Sequence, residues 1–587
     1  VYVFYYAGLT GIVTFFACIL LLMSCQDMFD PENENISSFD RVYTDPGFAE
    51  GLLISAYARI PTNSLSFNDV ATDDAVTNDK NNGYLRMATG EWSALYNPEN
   101  QWTDANTAVI YLDQLINIID SVEWKWSNSE IKSLYVKRFY GEAYALKGVI
   151  QYHLLQTVAG YDEAGNLLGI PFFKDDKNFN IPRATFEESV NQIYSDFNKA
   201  LEYLTMDDYQ NIGSASELPT GYAGVSIDNY NEVFGKELNQ RISGRIVKAY
   251  KARLALLAAS PAFSPDNDVT LWQNAANYAG QVLSGIGGVS GLDPNGHRFY
   301  DAARVDGINL ASGSDSKEII WRRSITVSNS RELSNFPPSL FGQGNVNPTQ
   351  NIVEAFPMAN GFPIKNSSSG YDAENPYASR DPRLSLYIVY NGGTMSGKTI
   401  YTGVGGGENA RDSISTSTRT GYYLKKLLRE DVNLNPSSTN TKKHFEVHMR
   451  YTELFLIFAE AANEAWGPDG TGSFSYSARD VIAAIRKRAG IAQPDAYLAS
   501  ITTKEQMREL IRNERRLELC FEGSRFWDLR RWKSDLTETA KGININGNSM
   551  TVINVENRLY DNSFMHYGPL PENELTKFDA LIQNRGW

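Results

Sequence analysis

Cysteine and histidine are both scarce in this chain: three and five among 587 residues. Cys520 is the only cysteine beyond position 25, so a body that starts after that point holds no internal disulfide and must rely on its apolar core. No GxSxG elbow and no Cys–His pairing marks a nucleophile. Two of the few histidines fall in His444-Phe-Glu446-Val-His448. The glutamate stands between them, unlike HExxH, and no third ligand is evident. Solvated or locally hydrogen-bonded histidines explain the pair, and neither metal nor cofactor is expected. Net positive charge is lacking too. At −15 and a pI near 5.0 the chain is not a general nucleic-acid binder.

Long apolar runs are absent except at the N-terminus. Residues 1–26 carry no charged side chain, and the run 12–23 is broken only by Thr14. It closes on Leu22-Met23-Ser24-Cys25, which resembles the lipobox cut by signal peptidase II, where the cysteine thiol takes up a diacylglycerol. The expectation is a signal peptide over 1–24 and a lipidated Cys25. No Lys or Arg precedes the run and the first residue is Val1, which departs from that pattern. A retained transmembrane helix is the alternative for a run of this length. The polar, acidic stretch that follows, QDMFDPENENISSFD, suits a flexible tether over 25–45.

Two other motifs invite chemistry. GGTMSGKT at 392–399 satisfies the phosphate-loop expression, which requires a strand before it and a helix after it. The glycine-rich continuation IYTGVGGGEN will not nucleate a helix, and a hairpin turn at Asn391-Gly392-Gly393 accounts for the residues. Asp73-Asp74, or Glu99 with Asp104, offers paired carboxylates, but glycosidase chemistry depends on a separation of ~5–10 Å that sequence does not show. No catalytic residue is assigned.

The most informative segment is Arg512 to Lys533, RNERRLELCFEGSRFWDLRRWK, with seven bases and four acids among apolar residues. As a helix it places Met507, Leu510, Ile511, Leu517, Cys520 and Phe521 on one stripe. Arg515 lies three residues before Glu518, within reach of intrahelical pairing. Glu514 falls on the apolar stripe and needs a cation partner to be buried. Gly523 suits a helix end, and Ser524 a cap for a second short helix carrying Phe526, Trp527, Leu529 and Trp532. An ion-paired structural helix is the reading.

This segment resembles the C-terminal signature of the SusD/RagB family of outer-membrane nutrient-binding lipoproteins, which reads like RRxELxFEGxRxxDLRRW. Further blocks resemble the family in order: 46–60 (PGFAEGLLISAYARI), 138–161 with GIPFF after it, SRDPRL, RYTELFLIFAEAANEAW, AAIRKRAGI and the closing GPLPENELTKFDALIQNRGW. Three segments, 137–153, 244–260 and 450–466, share a basic start and small residues alternating with aromatics or leucines at helical spacing. That is the pattern of helix-pair repeats, with partners at 102–120, 186–204, 270–284 and 478–489. Residues 286–445 are rich in Gly, Ser, Asn and Pro, and read as loops and short strands, as does 61–101.

The resemblance therefore implies a mainly α fold: a tetratricopeptide-like helix-pair scaffold over about 46–60, 101–285 and 446–535, with a loop-rich, short-strand ligand-binding insert over about 286–445, all in one domain, 46–587. It implies a non-catalytic glycan-binding protein, lipid-anchored and surface-exposed at the outer membrane of Bacteroidota, that delivers ligand to a SusC-like TonB-dependent transporter. A peptide or glycopeptide binder on the same scaffold, or a structural lid for the transporter, are the alternatives. Aromatics are plentiful, with 33 Tyr, 28 Phe and 10 Trp, and flat rings pack against sugar C–H faces. The first loop region supplies ligand candidates Asp73, Asp74, Asn81, Tyr84, Arg86, Trp92, Tyr96 and Asn97. In the family an acidic residue after the first helix and a Trp before the second long helix lie near ligand, and Asp73/Asp74 and Trp92 occupy comparable places. From the second region come Trp321 and Arg322, although the alternation in EIIW equally suits a buried Trp321. Trp102 reads as core.

Overall fold

A computed structural model of the chain describes residues 41–62, 67–173, 178–309 and 315–587. The signal segment, Cys25 and most of the tether lie outside the described residues. The last tether residues do not behave as a tether: Arg41–Thr44 forms a turn of helix and Val42 is fully buried.

Ten helices carry the scaffold. They are α1 (Pro46–Ala58), α2 (Trp102–Ile118), α3 (Ser129–Val158), α4 (Phe186–Tyr203), α5 (Gly244–Ala259), α6 (Val269–Ser284), α7 (Tyr451–Trp466), α8 (Ala478–Ala489), α9 (Lys504–Leu519) and α10 (Ser524–Arg531). From α1 to α8 each packs on the next in sequence, and α9 lies against α7. The three look-alike segments are α3, α5 and α7, and the four expected partners are α2, α4, α6 and α8. Nearest-neighbour stacking of this kind is the logic of a helical repeat. The small residues do what their spacing predicts. A Cβ on Gly148 of α3 would stand 2.5 Å from the Phe197 ring of α4, so the two helices approach as closely as they do because that side chain is missing.

The insert is built from loops and short antiparallel pairs. Strand β1 (Ala75–Thr77) pairs with β3 (Val346–Pro348), with Val76 opposite Asn347, and this ties the first loop region to the insert. Strand β2 (Ile319–Arg322) pairs with β4 (Val447–Arg450), and β4 runs directly into α7. A hairpin of β5 (Ala540–Asn546) and β6 (Ser549–Glu556) follows α10. The insert has its own core around Tyr387, Tyr422, Tyr423 and Phe356.

Helix α9 bridges both cores: Met507, Leu510 and Ile511 belong to the helical one, Leu517, Cys520 and Phe521 to that of the insert. Its charges are inside the protein. Glu514 and Glu518 are fully buried. The cation that Glu514 requires comes from other elements, Arg383 at 2.9 Å and Arg486 at 2.8 Å. Arg383, itself fully buried, also binds Asp381 and Glu518. Arg515 does not pair with Glu518 along the helix as expected. It reaches Asp528 of α10 at 2.8 Å, because the turn at Gly523, with φ of 80°, brings α10 back alongside. Gly523 holds the α10 N-terminus, and Ser524 is its first residue rather than a side-chain cap. Cys520 is buried and its thiol is pushed up to about 12 by burial, so it stays protonated at neutral pH.

The phosphate-loop motif forms the hairpin Gly393–Met395 with Lys398–Ile400. The turn sits at Ser396 and Gly397, with φ of 49° and 74°, not at Asn391–Gly393 as expected. Two successive left-handed residues form the tight hairpin turn that matches strand twist. Lys398–Ile400 is a strand where the phosphate-loop mechanism needs the start of a helix.

Candidate functional site

Where the repeat helices meet the signature segment, the protein holds a cleft of about 340 Å³, at the lower end of the ~300–1,000 Å³ of small-ligand sites. Helix α3 contributes His153 and Gln156, α5 contributes Arg253, β4 contributes His448, and the α9–α10 corner contributes Arg515, Ser524 and Trp527. The first loop region closes it with Tyr84, Pro98, Glu99 and Gln101.

The charged wall residues are held in place by one another. Arg253 binds Glu453 at 2.7 Å through Nε and donates to the His448 carbonyl at 2.6 Å. Arg531 joins Asp528 at 2.9 Å and Glu460 at 2.7 Å. Glu460 is held down at about 2, burial being outweighed by Arg531 and Arg515. His153 and His448 are both pushed down to about 3 by burial, with Arg253 adding to the effect. They are neutral imidazoles at ordinary pH, each able to donate and accept one hydrogen bond. Glu99 accepts from the Asn68 amide at 2.9 Å and from Tyr84, and burial raises its pKa. Tyr84 and Trp527 are half-buried, so each ring keeps part of its surface at the cleft.

Of the residues expected from sequence, Tyr84 alone lines this cleft. Asp73 and Asp74 are buried and taken: Arg525 and Arg516 bind Asp73 at 2.9 and 2.8 Å, and Arg516 binds Asp74 at 2.7 Å. Burial opposes ionisation of Asp73, but the two guanidiniums win and hold its carboxyl well below the usual range. These acids clamp the first loop to α9 and α10; the one oxygen without a hydrogen bond, Asp74 Oδ2, is buried 3.9 Å from Arg525. Trp92 is 5% exposed, edge-on to Phe526, Tyr560 and Trp587, with Arg530 4.8 Å from its ring. Its Nε1 donates to Asn97 at 3.1 Å, so Asn97 serves that core contact. Trp321 and Arg322 are each 3% exposed. The Trp321 ring lies against His448 at 4.5 Å, and Arg322 binds Asp315 and the Gln240 side chain. Both are inside the protein although consecutive strand residues face opposite ways, so both faces of the strand are covered at this end. Arg86 lies 4.1 Å over Tyr96 and binds Glu91 at 2.9 Å. Tyr96 and Asn97 line a second groove of about 430 Å³ on the outer side of the same loop, with exposed Leu95. Asn81 is exposed beside it in sequence.

Sequence reasoning missed His153, Arg253, His448 and Trp527. For Trp527 a signal existed: Phe526 and Leu529 share a face at three-residue spacing, which leaves Trp527 off the apolar stripe. His444 and His448 do not share a site. His444 is buried against Glu332 at 3.3 Å, and the two fall on different strands. Among the described residues no group of three His, Cys, Asp or Glu is placed to hold a metal ion. None of the described helices is long and apolar enough to cross a membrane.

Residues 316–587 match the sequence model of the SusD family, and 50–226 match a SusD-like model described as starch-binding and associating with the outer membrane. The chain belongs to the SusD/RagB family. A SusD-like protein from Bacteroides fragilis NCTC 9343 superposes with a TM-score of 0.68 at 21% identity, over 94% of this chain and 99% of that one. A SusD-like carbohydrate-binding protein from the same organism gives 0.65 at 18%, over 92% and 99%. A laminarin-binding SusD-like protein gives 0.56 at 18%, over 93% and 100%. At such identity the likeness speaks for the SusD fold. No curated protein matches in sequence.

Proposed function

We propose that this SusD/RagB protein is a glycan-binding lipoprotein of the cell surface, anchored in the outer membrane through Cys25, that captures an oligosaccharide and hands it to a SusC-like TonB-dependent transporter without breaking a bond. The observation that carries the reading is the composition of the cleft. Tyr84 and Trp527 offer flat faces for sugar C–H surfaces, and His153, Gln156, Gln101 and Ser524 offer hydroxyl partners. The carboxylates Glu453, Glu522 and Asp528 are engaged with Arg253, Lys426 and Arg515, which favours holding a ligand over acid–base work. The outer-membrane, starch-binding description of the matching model and the carbohydrate- and laminarin-binding names of two relatives support the ligand class and location. The transporter partner rests on the family resemblance, and the anchor on Leu22–Cys25. Tyr96 and Asn97 line the outer groove, with Arg86 over the Tyr96 ring, and a longer glycan would continue there; Asn81 stays a candidate by its exposure alone.

Affinity electrophoresis of the purified protein in gels carrying a polysaccharide panel tests this. Retardation by at least one polymer is expected, reduced tenfold or more in Tyr84→Ala and Trp527→Ala. A Trp527→Ala variant as retarded as wild type rules out the cleft, and retardation by no polymer rules out glycan capture.

A further inference from the structure

Resting on the capture reading just given, we propose that the glycan taken by this cleft is anionic, its carboxylate or sulfate ester docking against Arg331. A smaller chamber of about 70 Å³ continues the cleft, and the two share Arg253, Val447, His448, Glu453, Glu522 and Ser524. The acids on the joint wall already have cations. Glu446 faces Arg323 at 3.4 Å, Glu453 binds Arg253, Glu522 binds Lys426 at 2.6 Å and Arg450 at 2.7 Å, and Asp528 binds Arg515 and Arg531. Glu99 is the exception, and burial raises its pKa, weakening its negative charge.

On the cationic side donors are left over. Arg331 lines the inner chamber and gives one hydrogen bond among the described residues, from Nη1 to the Leu427 carbonyl at 3.3 Å; Glu332 and Glu446 act on it electrostatically, but no described carboxylate lies within ion-pair distance. A guanidinium N–H left without a partner is unfavourable, and an oxyanion relieves it. The planar fork of arginine matches carboxylate and sulfate geometry. Phe299 and Phe445, both buried, make the rest of the chamber wall apolar, and about 70 Å³ suits the anionic group rather than a whole sugar ring. A sugar hydroxyl can also accept from a guanidinium N–H, but only an anion neutralises the charge on Arg331 as well. Nonspecific attraction does not explain anion binding here, because the chain carries a net charge of −15.

The test uses matched polymers with the full chain: polygalacturonate beside its carboxyl-reduced product, and dextran sulfate beside dextran. Retardation by a charged member at least tenfold stronger than by its neutral partner is expected. Polygalacturonate as the stronger ligand assigns a carboxylate, dextran sulfate a sulfate ester. Arg331→Gln should weaken retention of the charged polymer about tenfold, with unchanged thermal midpoint. Equal retention of charged and neutral partners, or full retention by a folded Arg331→Gln variant, overturns the anionic assignment and leaves glycan capture standing. Retention of none of the four overturns the anionic assignment as well, and capture then stands or falls on the wider panel. Should Arg331→Gln not fold, the wild-type comparison of matched polymers decides alone.

Discussion

Trp92 stands edge-on to three aromatic rings beneath the Arg530 guanidinium, whereas Trp527, one helix position from Phe526, keeps part of its ring at the cleft. The two tryptophans therefore answer differently to truncation. Trp92→Ala should lower the unfolding free energy by about 3–5 kcal/mol, as expected for a large aromatic removed from a packed core, and chemical denaturation reads this directly. Trp527→Ala should shift stability far less while removing glycan retention. Similar destabilisation by both variants would refute the assignment of Trp527 to the site. Loop composition and the family resemblance pointed to Trp92 and to Asp73/Asp74 as ligand contacts, because composition identifies a side chain's chemistry and not which neighbours have already used it. Arg516 and Arg525, more than 400 residues downstream, consume those carboxylates.

At the scale of elements, α3 and α4 approach through Gly148, whose added Cβ would meet the Phe197 ring at 2.5 Å. Gly51, on the exposed side of α1, has nothing within 4 Å of its Cβ position. Gly148→Ala should be destabilising, because about 1–3 kcal/mol of overpacking exceeds the ~1 kcal/mol gained in helix propensity. Gly51→Ala should be stabilising by up to about 1 kcal/mol, since propensity acts there unopposed. Thermal unfolding of the two variants side by side gives opposite shifts in Tm; shifts of the same sign refute the packing argument. The helix pairs were legible because each one's periodicity is local. The β1–β3 pairing was not, because its three-residue strands carry too little alternation to register; the longer β5–β6 hairpin was missed although Asn546-Gly547 at its turn is a hairpin signal.

For the whole molecule, stability depends on pH through buried groups in the cleft. His153 and His448 titrate near 3 in the fold against an ordinary value of 6.5. The unfolded chain therefore binds more protons between those values, so their contribution is complete above about 6.5 and lost as pH falls towards 3. Asp69, pushed up to about 7 chiefly by burial, acts oppositely: its contribution is complete below 3.8 and lost as pH rises through about 7. The readout is thus a difference. Relative to wild type, a His153→Gln/His448→Gln double variant should gain stability as pH is lowered from 7 to 4, seen as converging or crossing urea midpoints. A constant gap across that range would contradict the buried neutral imidazoles.

Local pattern alone was enough to establish the order of helices, their pairing along the chain and the structural use of the α9–α10 charges. Each of these follows from residues close in sequence: helical periodicity, small residues at contact spacing, acids and bases interleaved. The identity of Glu514's partners, the loss of Asp73, Asp74, Trp321 and Arg322 to the interior, and the convergence of α3, α5, β4 and α10 on one cleft came only with tertiary structure. Burial and ion pairing are set by groups far apart in the chain, so spacing carries no record of which of them will meet.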